Sequence, residues 1–386
     1  MRTFLFTSTL CLIILNASVA AIQPNPLISK FQPIYASFSG SPATLVNGKF
    51  GETAWTVTDS SWIAIKLKSD LSEIFFTWNS TNNMWSDSLG NPRDCAEGMP
   101  VPVNYQLLVS GNSTNGTDGT WKAVDSVTDN IVAARGHRIP FSGSSWIKMS
   151  VIKGGGKIDE IEIFDLSEGA DDTWLFLGTG VTVNAFKKPV QTRTFRDYII
   201  EYVGEFNPKA IPAFIRGGIG CATSKGLAAD MPAILASAGK VAYCAVEVGT
   251  YDAWGGGSEN VADFTENLKT IIATCKSKGV EPIIARTPAT NPEKTSWQID
   301  DGYLKAIDAL TRQYNLLPGP DLYTWFLKHP DELAEDGVLP SARGGATIQR
   351  LWAEAVYKLY DPNAPQRQKI TTTKKKKGGS RKKKRK

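Results

Sequence analysis

Few residues in this chain could do acid–base or nucleophilic work. Only two histidines occur in 386 residues, His137 and His329. His137 lies in R-G-H-R-I-P-F (Arg135 to Phe141), where a loop-capping or solvent-facing role is expected. His329, in K-H-P-D-E-L, is expected to help start a short helix. Three glycine turns are the places where a reacting group would stand: G-T-G ending at Gly180, G-G-I-G ending at Gly220, and G-T-Y-D ending at Asp252. Thr179 and Thr182 flank the first turn, but a hydroxyl nucleophile needs a base within hydrogen-bond reach. Cys221 follows the second turn; in an exported chain a disulfide suits it better than a thiolate, and no imidazole is placed to activate it. No metal site and no cofactor is expected.

These turns must be held by two kinds of scaffold. From about Asn25 to Leu166 short runs alternate apolar and polar residues between Gly, Asn, Ser and Asp breaks, as in a β-sandwich. The clearest are Trp62 to Leu67, Glu73 to Trp78, Tyr105 to Ser110, Trp146 to Val151 and Ile158 to Phe164. From Thr173 the period changes. W-L-F-L-G (Trp174 to Gly178) leads a series of strands at 210–215, 241–249 and 282–287, separated by helices at 194–203, 225–238, 260–278 and 302–314 and closed by one at 342–360. Alternation at this spacing predicts a parallel sheet covered on both faces, with ligands at the carboxyl ends of its strands, where the three turns lie. The expected division is a signal peptide at 1–20, a sandwich at 21–166, an α/β/α flavodoxin-like domain at 167–362 and a basic tail at 363–386.

Arg2, the apolar run Phe4 to Leu15 and the small residues Ser18-Val19-Ala20 read as a secretory signal cleaved after Ala20. No later run approaches the roughly 20 apolar residues that span a bilayer, so a secreted, extracellular or wall-associated protein is expected. Sequons at Asn79, Asn112 and Asn115 fit a glycoprotein. Cys95, Cys221, Cys244 and Cys275 remain after the signal, allowing three pairings; if all pair, one bridge crosses between the two regions. The formal net charge is +5, yet residues 374–386 hold ten Lys and Arg and no acid, so the rest is net acidic. Such a tail is expected to be disordered and drawn to polyanionic surfaces; in an exported chain nucleic acid is not the expected partner.

Several pieces of the first region resemble discoidin-like (coagulation-factor C-type) domains: L-V-N-G-K-F-G-E-T-A-W (Leu45 to Trp55), W-I-A-I-K-L, V-N-Y-Q-L-L-V-S followed by G-T-W-K-A-V, R-G-H-R-I-P-F and I-D-E-I-E-I-F. The resemblance implies a jelly roll that binds glycans or lipid headgroups through loops at one end. The loop from Asn79 to Pro100, with Trp85, Asp87, Arg93 and Asp94, would supply those contacts. Trp55, Trp62, Trp121 and Trp146 fall at strand positions and are expected in the core.

The second region resembles the SGNH (GDSL-type) hydrolases, esterases of glycans and lipids. D-T-W-L-F-L-G-T-G-V-T-V matches the first block, R-G-G-I-G-C-A-T-S the second, V-G-T-Y-D-A-W the third and D-G-V-L-P-S the last. Carried over residue by residue, the nucleophilic serine falls on Gly180 and its preceding aspartate on Thr179. The oxyanion asparagine falls on Tyr251, the histidine on Leu339, and the orienting aspartate on Asp336. The oxyanion glycine falls on Gly220 or Cys221. The resemblance therefore implies a frame without its chemistry, a pseudoenzyme that binds or scaffolds glycans, with Tyr251, Trp254 and Leu339 as an aromatic and apolar floor. The alternatives are a carbohydrate esterase with rearranged catalytic residues, and a structural protein in which both regions serve assembly.

Overall fold

The computed structural model describes residues 21–23, 25–48, 55–80, 100–169, 171–186, 193–253 and 260–363. The signal peptide, Cys95, Trp85, Arg93, Trp254 and the basic tail lie outside them.

Nine antiparallel strands form two stacked sheets. β1 (Ile34–Ala36), β3 (Trp62–Lys66), β8 (Trp146–Gly154), β5 (Pro102–Ser110) and β6 (Lys122–Val127) pair in that order; β2 (Trp55–Thr56), β9 (Lys157–Asp165), β4 (Glu73–Ser80) and β7 (Ala134–Pro140) form the second sheet. Period-2 alternation sorts the side chains. Ile74, Phe76 and Trp78 of β4 enter the core between the sheets with Ile161 and Ile163 of β9, whereas Phe75 and Phe164 face the other way.

The remaining strands are all parallel. β10 (Thr173–Gly178), β11 (Ala213–Gly218), β12 (Tyr243–Glu247), β13 (Glu281–Arg286) and β14 (Leu317–Asp321) take the order β11-β10-β12-β13-β14, the flavodoxin-like arrangement. The chain runs from β10 through α1 (Gly180–Phe186) and α2 (Phe195–Val203) to β11, then through α3 (Ser224–Ser237) to β12. The short α4 (Thr250–Ala253) and long α5 (Val261–Ser277) precede β13; α6 (Asp301–Gln313) precedes β14, and α7 (Leu322–Lys328) and α8 (Ala342–Val356) follow it. Both sheet faces are covered. One core cluster carries side chains of α3, α5 and α6, the other those of α1, α2, α7 and α8. The order reverses between β10 and β12, so the crevice of this sheet lies at Gly178 and Glu247.

The four-stranded sheet lies against the α/β layer. Phe75 and Phe164 join the cluster that contains Leu175, Ile215 and Ala238. Two buried ion pairs cross the contact: Arg196 to Glu162 at 2.5 and 2.6 Å, and Arg216 to Asp159 at 2.6 and 2.8 Å. Arg196 meets Glu162 through two nitrogens, the bidentate geometry that offsets the cost of burying charge, and Arg216 meets both oxygens of Asp159 through Nη2. Gly239, at φ +70° in the turn after α3, sets its backbone against Gly136: a Cβ on Gly239 would run into the Gly136 carbonyl oxygen, and one on Gly136 would stand 2.7 Å from that of Ala238.

Four expectations change here. Trp55 and Trp146 are buried, but Trp62 and Trp121 are only half-buried and hold the outer face of the five-stranded sheet. His137 does not face solvent: it is buried in β7 and bonded to Tyr105 and Asp125. Asn79 is fully buried in β4, where its Oδ1 accepts the Arg216 N–H, so no glycan fits on it in the folded chain. Cys221 is disulfide-bonded, but Cys244 and Cys275 are free thiols inside the core, so the four cysteines are not all paired.

Candidate functional site

β10 ends on Gly178, where a side chain would run into Thr182 Oγ1 and, at 2.7 Å, the Glu247 carbonyl oxygen. The chain turns at once into α1. Thr179 Oγ1 accepts the Val181 N–H at 3.1 Å and donates its own proton to Glu247 Oε2 at 2.9 Å. Thr182 donates to the same oxygen at 3.2 Å. Glu247, the last residue of β12, is buried with Oε1 left without a partner. Burial pushes its carboxyl above the usual range, against the pull of the Thr179 and Thr182 hydrogen bonds. Both threonine hydroxyls are buried beneath the turn, where no ester could reach them.

Gly180 opens α1 and presents bare backbone. A Cβ there would stand 3.0 Å from the Tyr251 hydroxyl and 3.2 Å from Leu339 Cδ2, tighter than ordinary contact. Three positions distant in sequence thus meet at one point. Tyr251, on α4, also accepts the backbone N–H of Cys221, and burial, followed by the Glu247 and Asp336 charges, raises its pKa. The N–H that faces Tyr251 belongs to Cys221, held at φ +53°. Leu339 is positioned by Asp336, whose Oδ1 accepts the Val338 and Leu339 N–H groups, each at 2.9 Å. Asp336 is here the anchor of a turn.

His329 is far from this work. It caps α7 through its backbone, begins the short 3-10 helix at Pro330–Glu332, and stacks on Trp325 with ring centroids 4.3 Å apart. Asp252, next to Tyr251 on α4, holds the start of α3 instead: it accepts the Ser224 hydroxyl at 2.5 Å and the Ser224 N–H at 2.9 Å.

A pocket of about 230 Å³ opens over the point of convergence, lined by Tyr251, Thr295, Trp297, Asp336, Val338 and Leu339. Thr295 and Trp297 were missed by sequence reasoning. They lie in the loop after β13, tied to the Leu339 loop by the Asn291 N–H on the Gly337 carbonyl at 2.8 Å. The available signal was an indole downstream of a strand's carboxyl end, in N-P-E-K-T-S-W. A far larger cleft, about 2130 Å³, opens at the opposite, amino ends of the strands, between sandwich residues 125–138 and the carboxyl ends of α3, α5 and α6. Asp125 and His137 in its lining are already bonded to each other within the sandwich. Convergence of side chains, not volume, places the candidate site in the smaller pocket.

No protein-family model matches the chain, and no curated protein matches it. Solved structures do. An acetylxylan esterase from Geobacillus stearothermophilus is 17% identical over 48% of this chain and 93% of its own, with a TM-score of 0.39. A lipase/acylhydrolase from Enterococcus faecalis is 20% identical over 50% of this chain and 99% of its own, at 0.41. A GDSL-like lipase from Parabacteroides merdae is 16% identical over 49% and 95%, at 0.39.

Proposed function

We propose that this chain is an exported glycan-binding or scaffolding protein, built on an SGNH-like frame whose hydrolytic centre is filled. One observation carries the reading: the Tyr251 hydroxyl occupies the space beside Gly180 and takes the Cys221 N–H. Acyl transfer by this type of site needs a hydroxyl, a base and open donors for the oxyanion. Here residue 180 has no side chain, residue 339 is apolar, and a backbone donor is already bonded to a phenol. The esterase alternative would have to use Thr179 or Thr182, and both hydroxyls are buried against Glu247.

The pocket suits binding better than turnover. Tyr251 and Trp297 offer ring faces, and Asp336 keeps Oδ2 without a partner among the described residues. At about 230 Å³ it is smaller than the roughly 300–1,000 Å³ typical of drug-sized ligands. One sugar ring, or a sugar's acyl group, is the scale of ligand it would take. The basic segment 374–386 would add salt-sensitive attraction to a polyanionic surface. The test is paired: hydrolysis of p-nitrophenyl acetate and acetylated xylan, and glycan-array binding. We expect no esterase turnover, and array binding that is lost on Tyr251→Ala and Trp297→Ala. Esterase activity abolished by a single pocket substitution would overturn the reading.

A further inference from the structure

The outer face of the five-stranded sheet carries an arrangement that neither the cleft nor the sandwich's end loops explain. Lys148, in β8, lies opposite Ala64 of β3 and Leu108 of β5, in the middle of that face. Its ammonium stands 3.9 Å from the ring centroid of Trp121 and 4.9 Å from that of Trp62. Both indoles are half-exposed. The Trp121 indole is held by its Nε1–H on the Asp118 carbonyl at 2.9 Å, and the Trp62 backbone N–H bonds Ser37 Oγ at 2.8 Å.

A cation between two indoles gains a cation–π contribution of ~0.5–2 kcal/mol. It does not gain neutrality. Among the described residues Lys148 has no carboxylate partner, and partial burial lowers its pKa. The α/β layer covers the other sheet; on this face the turn at Gly116 lies over Ala64 and Trp146, and Trp62, Trp121 and Lys148 stay partly exposed beside it. Two partly exposed indoles, with an uncompensated positive charge between them, match a sugar polymer whose rings present apolar C–H faces and whose substituents carry carboxylates.

We propose that this face binds acidic polysaccharide, with Trp62 and Trp121 stacking on sugar rings and Lys148 pairing with a uronate carboxylate. This site is independent of the pocket at Tyr251 and stands or falls without it.

The experiment titrates polygalacturonate and its fully methyl-esterified form into full-length protein produced without N-glycans, and into the same protein lacking residues 364–386. Calorimetry supplies the affinities. In the tail-deleted protein, Lys148→Gln should weaken polygalacturonate binding at least about tenfold and leave the methyl ester unchanged, and Lys148→Arg should restore most of the loss. Trp62→Ala and Trp121→Ala should weaken both polymers, with Trp62→Phe and Trp121→Phe retaining part of the binding. Unchanged affinity in the Lys148→Gln and tryptophan variants overturns the proposal, as does binding that disappears with the tail alone. Equal loss on both polymers from Lys148→Gln also overturns it, because the carboxylate then plays no part.

Discussion

The contact between sandwich and α/β layer and the crevice at Gly180 treat polar groups in opposite ways. At the contact, Arg196 and Arg216 are fully enclosed, and each is met by both oxygens of a carboxylate from β9. At the crevice, the carboxylates are diverted to local tasks: Glu247 gathers threonine hydroxyls and Asp336 secures a turn. Rings and leucine fill the space that remains. Charge at the first place fixes how two regions sit together; at the second it supports the backbone around an apolar floor. A concentration of buried ionisable groups is therefore a poor guide to chemistry in this molecule, and the convergence of side chains on an open pocket is a better one.

Arg196→Ala sharpens this contrast most. It strands Glu162 in the interior and should cost about 3–5 kcal/mol in chemical unfolding, whereas Arg196→Met with Glu162→Leu should cost much less. A small effect from the single variant would mean that water reaches the contact. The next effect in size is acid sensitivity. Trp78 Nε1 can only donate, so Tyr105 accepts from it at 3.1 Å and donates to His137 Nε2 at 2.9 Å, and His137 Nδ1–H donates to Asp125 at 2.7 Å. Burial lowers the His137 pKa, so the unfolded chain takes up the proton first as pH falls through about 6.5. The His137 contribution to stability should fall by on the order of 1 kcal/mol per pH unit just below that point, while Glu160, pushed up to about 10, and Asp172, pushed up to about 7, both mainly by burial, contribute with the opposite sign. Asp125, also held low, adds loss of the same sign as His137 at more acidic pH. Thermal unfolding of wild type and His137→Gln compared between pH 7 and 5 checks this: the wild type should lose stability relative to the variant as pH falls.

Two smaller effects address the crevice and the sequons. Gly180→Ser should leave esterase activity at background and lower the melting temperature by a few degrees, the response to about 1 kcal/mol of crowding against Tyr251 and Leu339. Recovery of turnover would show that the frame needs only its nucleophile. Asn79→Gln should leave electrophoretic mobility unchanged, with any glycan released by deglycosylation mapping to the exposed Asn112 or Asn115.

Much of this was legible where local pattern and tertiary need agree. The apolar alternation of Glu73 to Trp78 and of Tyr105 to Ser110 places β4 and β5, and the glycine turns place all three crevice segments. It failed where a distant partner decides. In β9, nothing in the local pattern marks Asp159 and Glu162 as buried charges, because the arginines that pair with them come from other elements. The pattern A-R-G-H-R-I-P hides β7, whose Gly136 serves a backbone contact and whose His137 serves a buried network. Pro318 and Pro320 mask β14, which can hold them as an edge strand. Trp62 and Trp121 went astray for a related reason: a strand position says that an indole points to one face, not which face.

The close approach of Gly136 and Gly239 leaves no room for a hinge between the two regions. The sheet face at Lys148 and the pocket at Tyr251, the two proposed binding stations, then lie at a set separation on one body. A long polymer engaged at one station meets the other at an effective concentration fixed by its own length and stiffness, not by the bulk solution. Weak contacts at each would combine into selective retention of chains long enough to span both, and fragments shorter than that separation would wash away.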